Sequence, residues 1–250
     1  MMLTGRNALV TGGAHRLGAA IVRSLAEARA NVFIHYFRSD HEAAALADEL
    51  RETGVRAASG QADLCDIASA PGLIAGATAE LGLISLLVNS ASGFPEDTLA
   101  DATVEGWQAT LDCTLSAPIF LTQALAAALP DDTPGAVVNI TDARTRTPYA
   151  KHFSYTVAKG GLEAFTRAAA VALGPRVRVN AVAPGVVLPP PGEGDDYVER
   201  LAQALPLERP GGAEPVAQAV RSLLENDFIT GEVVHVDGGG HLTTAVAPGD

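Results

Sequence analysis

The chain has 250 residues, 48% of them hydrophobic, and a formal net charge of −12. That length and apolar content predict one globular domain over 1–250 and exclude a disordered chain. The 17 basic residues are scattered and outnumbered, which argues against nucleic acid or an anionic membrane as partner but leaves room for a small anion held by a local arginine.

Taken in order, NALVTGG is a short apolar strand over 7–11 that ends in a glycine turn. HRLGAAIVRSLAEAR follows, with Leu17, Ile21 and Leu25 on one helical face. NVFIHY (31–36) is a second strand, and DHEAAALADELRETG (40–54) a helix stopped by Gly54. The alternation continues with a strand in RAASGQADL, a helix in PGLIAGATAELG and a strand in SLLVNSAS (85–92). A long helix through WQATLDCTLSAPIFLTQALAAAL, the strand GAVVNIT, the helix FSYTVAKGGLEAFTRAAAVALG and the strand VRVNAVAPG (177–185) come next. EPVAQAVRSLLEN is the last helix and GEVVHVDGG the seventh strand. Strand and helix in turn, with continuously apolar strands, predict a Rossmann-type α/β fold: a doubly wound, parallel, seven-stranded sheet with helices on both faces. A loop rich in proline, glycine and acids, about 187–212, interrupts the order and reads as a substrate-side lid.

Ligands of such folds sit beyond the carboxyl ends of the strands. Gly12, Arg16, Arg38, Asp63, Asn89, Asp142 and Pro184 all fall at or just after predicted strand ends. TGGAHRLG (11–18) joins strand to helix, the context in which glycines let the backbone approach a pyrophosphate at a helix N-terminus. Arg16 stands there where glycine is more usual, and its guanidinium suits phosphate as well as it suits solvent. After the second strand, a binder of unphosphorylated NAD would place an acid for the ribose 2′-hydroxyl. This chain offers His35, Tyr36, Arg38 and Ser39, a set suited to a 2′-phosphate, so NADPH is the expected cofactor.

Tyr155 and Lys159 stand at i and i+4 and share a helix face. An ammonium near the phenol would lower its pKa, and an ionised Asp142 from the neighbouring strand end would raise it and favour the phenol as an acid. A buried tyrosine and a solvated lysine would show the same spacing, but the place beside a dinucleotide fold favours a site. Cys65 and Cys113 lie outside any CxxC or Cys/His cluster, so no metal site or disulfide framework is expected. His152 and His241 carry no assignable role. The opening MMLTGRNALVTGG lacks the apolar run of a signal peptide, and no stretch approaches the ~20 apolar residues that span a bilayer, so the expectation is a cytoplasmic protein.

TGGAHRLG, Asn89-Ser90-Ala91-Ser92, the Tyr155-to-Lys159 spacing, Asn180, Pro184-Gly185 and Asp237-Gly238 together resemble the short-chain dehydrogenase/reductase family, from about residue 5 to about 240. Arg16, HYFRS (35–39), Phe94 and an aspartate, Asp142, where serine is usual are similar more narrowly to the pteridine reductases, which reduce pterins and folates with NADPH. The resemblance implies Tyr155 as proton donor to a ring nitrogen, Asp142 as its partner, and Lys159 on the nicotinamide ribose. It implies Phe94 stacked on the pterin, and Arg16 and Ser92 on cofactor phosphate and substrate. Asn89, Asp63 and Leu64 would line the adenosine half, with Gly12, Leu17, Ser90 and Ala91 completing the cofactor contacts. Gly185 and Val186 would lie by the nicotinamide amide, with Pro184 among the cofactor contacts, and the assembly would be a homotetramer.

One departure stands out: Thr114 occupies the place of an asparagine with which the family holds a water near the lysine. A carbonyl or 3-oxoacyl reductase with an incidental Asp142, and a catalytically silent NADPH-binding sensor or scaffold, remain as alternative readings. Enoyl reductases of the family usually space tyrosine and lysine wider.

Overall fold

The computed structural model describes residues 1–148, 150–187, 189 and 194–243, the side chain of Asp195 excepted. Seven strands form one sheet: β1 (Asn7–Val10), β2 (Asn31–Tyr36), β3 (Ala57–Gln61), β4 (Ile84–Asn89), β5 (Gly135–Ile140), β6 (Val177–Pro184) and β7 (Val233–Val236). Their order is β3-β2-β1-β4-β5-β6-β7, and every pair is parallel. The fourth strand ends at Asn89, so Ser90–Ser92 belong to the loop that follows it.

The strands are apolar on both faces because both faces are covered. Successive residues enter opposite cores: Val10, Val88 and Val138 join one, Leu9, Leu87 and Val137 the other. The first core is closed by Ile21 and Leu25 of α1 (Arg16–Glu27), Leu46 and Leu50 of α2 (Asp40–Glu52), and Val216 and Val220 of α8 (Ala213–Glu225). The second is closed by Leu73 and Ile74 of α3 (Ala70–Leu81), Leu121 and Leu125 of α5 (Ala117–Ala128), and Ala169 and Ala170 of α6 (Phe153–Leu173). Each fully buried leucine or isoleucine contributes roughly 1.5–3 kcal/mol relative to exposure. The strand order reverses between β1 and β4, which opens a crevice at the carboxyl ends of those two strands.

The long helix of the middle region is interrupted. α4 (Val104–Leu111) passes through a π-helical turn, Asp112–Ser116, into α5. Pro118 has no N–H to give the carbonyl four residues back, Thr114, and the ladder widens so that the Ala117 N–H reaches Asp112. Together Val104–Ala128 are long and apolar enough to cross a bilayer, contrary to the expectation that no stretch would be. It is a core helix here: Ala117, Leu121 and Leu125 are fully buried against the sheet.

The expected lid region contains a helix, α7 (Asp195–Ala202), which buries Val198 and Ala202 on one face. Its polar composition hid that pairing at i and i+4. Residues 188 and 190–193 of that region lie outside the described residues.

Candidate active site

The turn after β1 is built by backbone and buried side chains. Gly12 has φ +62, and a Cβ there would come within 3.1 Å of the Ala91 Cα. A Cβ on Gly18 would lie 2.1 Å from the Gly12 carbonyl oxygen, so α1 packs directly onto the turn. The Gly12 N–H donates to His35 Nδ1 (3.1 Å), while His35 Nε2 donates to the Ala62 carbonyl (3.1 Å). That fixes a neutral ring, and burial pushes its pKa down. His35 therefore corrects an expectation: both nitrogens are spent inside the protein, and its ring shapes the turn instead of meeting a phosphate.

Thr11, overlooked in the sequence, ties the turn to β4 by accepting from the Ser90 (2.9 Å) and Ala91 (3.0 Å) N–H groups. His15 precedes α1 without a side-chain cap, leaving the first-turn N–H groups toward the crevice side uncapped. Leu17 is half-buried in that turn. Arg16, exposed and at φ +50, donates to the Pro189 carbonyl (2.6 Å) and so links the turn to the lid region.

At the end of β2, Tyr36 is half-buried, and the exposed Arg38 rests over the Phe37 ring, 4.8 Å from its centroid. Ser39 opens α2 with its hydroxyl unused as a cap. The first acids are Asp40 and Glu42 in the helix's own first turn, beyond the strand end. After β3, the Asp63 carboxylate accepts from the Cys65 N–H (2.9 Å). Leu64 is turned into the second core, so it can line an adenosine only through its backbone.

Asn89 is buried, its Nδ2 donates to Asn139 Oδ1 (2.8 Å), and Asn139 Nδ2 donates in turn to the Thr166 hydroxyl (2.9 Å); both bonds lie within the buried core. Asn89 Oδ1 has no partner among the described residues. An uncapped helix start, a glycine cradle too tight for side chains, a buried amide oxygen seeking a donor and a cationic, acid-free β2 terminus fit a phosphorylated dinucleotide.

The second cluster lies past β5. Asp142 caps a short 3₁₀ turn, Ala143–Thr145, with Oδ1 accepting from the Arg144 N–H (2.8 Å). That bond aims the other oxygen, Oδ2, at Tyr155, whose hydroxyl donates to it across 2.8 Å. Lys159, 2% exposed, donates to the Ile140 carbonyl (2.6 Å) and lies 5.5 Å from the Tyr155 ring centroid.

Burial pushes the Asp142 carboxyl up, and burial together with the Asp142 charge holds the Tyr155 phenol well above its ordinary value. Burial pulls Lys159 down to about 8. Of the two opposed effects expected on the phenol, the aspartate's prevails and adds to the larger effect of burial. Tyr155 is held in its protonated form.

Phe94 is 53% exposed and meets the Tyr155 ring edge-on, centroids 4.7 Å apart. Ser92 is exposed in the same loop. Pro184 ends β6, and the Gly185 N–H donates to the Val236 carbonyl (3.1 Å) with Val186 half-buried beside it. Thr114 is fully buried in the π-helical turn, and its hydroxyl has no partner among the described residues.

His241 donates to Asp237 (2.8 Å) and packs on His235, a structural role. The cysteines, remote in sequence, bring their thiols into hydrogen-bonding contact. Burial raises both, Cys113 to about 12, so neither is a ready thiolate.

A parallel sheet of this order, with a dinucleotide-type turn and an acid–tyrosine–lysine cluster at its carboxyl end, defines a class of nicotinamide-dependent oxidoreductases. The chain belongs to the short-chain dehydrogenase/reductase family: residues 12–241 match the family profile described as enoyl-(acyl carrier protein) reductase. It is 33% identical over 242 residues to a 3-oxoacyl-[acyl-carrier-protein] reductase of Synechocystis sp., covering 95% of this chain and 97% of that protein. It superposes on FolM alternative dihydrofolate reductase 1 of Brucella suis, in complex with NADP, with a TM-score of 0.93 and 40% identity over 98% of both chains. The Brucella canis protein of the same name, also with NADP, gives a TM-score of 0.91 and 40% identity over 97% of both. The chain is an NADP(H)-dependent reductase of this family.

Proposed function

We propose that this protein reduces pterins or folate-like dihydropteridines with NADPH. The observation that carries the reading is the direct bond between Tyr155 and Asp142, with both groups pushed toward their protonated forms. A carbonyl reductase also passes a proton from its tyrosine to the forming alkoxide, and beside that tyrosine a neutral hydroxyl is enough to hold the ketone oxygen. A ring C=N needs a proton delivered to a basic nitrogen, and an acid coupled to the phenol supplies it.

NADPH, when bound, supplies the hydride. Tyr155 gives its hydroxyl proton to the ring nitrogen, and Asp142, its carboxyl raised by burial, takes up a proton from solvent and returns it to the phenol. Lys159 holds the nicotinamide ribose, and Phe94 offers an exposed ring to a flat heterocycle. The names of the Brucella neighbours support this substrate class.

Gly12, Arg16, Leu17, Asp63, Asn89, Ser90, Ala91, Pro184, Gly185 and Val186 form the cofactor bed, with the Leu64 backbone and with His35 acting through the turn. Arg16, through its guanidinium, and Ser92 flank both cofactor and substrate. Tyr36, Arg38 and Ser39 receive the 2′-phosphate. Arg38→Ala raises the Kd for NADPH by ~10- to 100-fold, the loss of a charge-assisted fork, and leaves that for NADH unchanged. Equal losses for both cofactors in a binding titration would refute the assignment.

The half-exposed edge strand β7 and the exposed Phe120, Val157 and Val171 support assembly into a homotetramer. A 3-oxoacyl reductase is the second reading, favoured by the Synechocystis relative. The test is NADPH oxidation with dihydrobiopterin and dihydrofolate as acceptors. Turnover is expected with at least one, and none with either sinks the proposal.

A further inference from the structure

Phe94 sits on a loop between Gly93 and Pro95, where an exposed ring would ordinarily move among its rotamers. Here the loop is fastened to the start of the helix that carries Tyr155. The Phe153 N–H donates to the Asp97 carbonyl (3.1 Å), and the Ser154 N–H to the Asp97 carboxylate (3.3 Å). His152 donates from Nδ1 to the Pro95 carbonyl (2.7 Å), a bond that fixes its tautomer because a carbonyl only accepts. Its ring then lies on Phe94, centroids 3.8 Å apart and planes 17° from parallel.

His152 reaches that position in the left-handed region, φ 57 and ψ 40, immediately before α6. Histidine is among the few side chains enriched there. One face of Phe94 is thus covered by an imidazole, its ring meets Tyr155 edge-on, and 53% of the residue stays open.

We propose that His152 is a positioning residue: it holds Phe94 at a set distance from Tyr155, making the ring a preorganised platform for a flat heteroaromatic substrate. The proposal rests on the pterin reading for its substrate class. His152 touches no reacting atom in this account and acts only through Phe94. Holding the ring in place before binding lowers the ordering cost of the complex, so the effect falls on substrate affinity.

The test is a double-mutant cycle on the full chain loaded with NADP⁺, titrated with 2,4-diaminopteridine. His152→Asn tolerates the left-handed backbone and removes the ring; Phe94→Ala removes the platform. His152→Asn is expected to weaken binding by about tenfold, the range of one aromatic stack. In the Phe94→Ala background the same change is expected to have no further effect, because its route is gone.

Steady-state kinetics with dihydrobiopterin should show the matching rise in KM with kcat within about twofold. Unchanged or tighter binding by His152→Asn overturns the proposal, as does an additive cycle or a wild type that binds no diaminopteridine. Histidine-dependent binding without pterin turnover would leave the proposal standing and refute the pterin reductase reading instead.

Discussion

Lys159→Met is expected to lower turnover with every acceptor by about 10³-fold, within the range of a lost proton-handling and positioning group, while raising thermal stability. Lys159 is 2% exposed and donates to the Ile140 carbonyl, and among the described residues no carboxylate hydrogen-bonds its charge. Its pKa falls from 10.5 to about 8 on burial, which corresponds to a cost of about 3 kcal/mol in keeping the amine charged at neutral pH.

Methionine removes that cost and fills similar volume. The Ile140 carbonyl loses a donor, which takes back roughly 1 kcal/mol. The net gain should appear as a rise in Tm of about 5 °C.

The sign can be checked against pH. Between about 8 and 10.5 the unfolded chain holds a proton on this lysine that the folded chain has released. Wild-type stability therefore gains a rising contribution across that window, and the advantage of the methionine variant shrinks through it. Calorimetry at pH 7 and pH 10 decides the matter. A variant destabilised at both pH values would show that the lysine is a structural support.

Asp142→Ser is expected to cost about 10²- to 10³-fold in kcat with a dihydropterin, the range of a positioned acid, and far less with a simple ketone. Serine can still meet a carbonyl oxygen, but it cannot return a proton to Tyr155. The pH dependence should change in kind. In the wild type, Asp142 is raised by burial, and pterin reduction declines as pH climbs through the loss of the proton that the pair shares.

In the serine variant that limb disappears, because no carboxyl remains there to titrate and burial alone still lifts the phenol above the ordinary tyrosine range. Profiles of log kcat against pH for both proteins measure this. Equal losses for pterin and ketone would show Asp142 to be a structural cap of the Ala143–Thr145 turn.

The sheet was legible because its strands are short apolar runs whose alternate residues enter two covered cores, and because each is followed by a helix. The pairing of Tyr155 and Lys159 was legible from one helical turn, and the place of Asp142 from the end of a strand. What each side chain bonds was not. The inward turn of His35 depends on the positive φ of Gly12 and on the carbonyl of Ala62, just past the end of β3.

The choice of Lys159 for the Ile140 carbonyl depends on how deeply α6 packs on β5 and β6, which spacing does not encode. The α7 helix escaped notice because its apolar positions are few and are buried only after docking. The docking of Asp97 and His152 joins segments more than fifty residues apart, and no local pattern announces it. The π-helical turn did leave a signal, Pro118 within an otherwise helical run.

The measurement that tests the central claim most directly is a competition of kcat/KM values on the wild-type protein with NADPH, dihydrobiopterin and dihydrofolate set against a 3-oxoacyl thioester. A coupled Asp142–Tyr155 acid predicts that a dihydropterin is the preferred acceptor. Preference for the thioester, with pterins inert, would contradict it and make Asp142 an incidental replacement in a ketoacyl reductase.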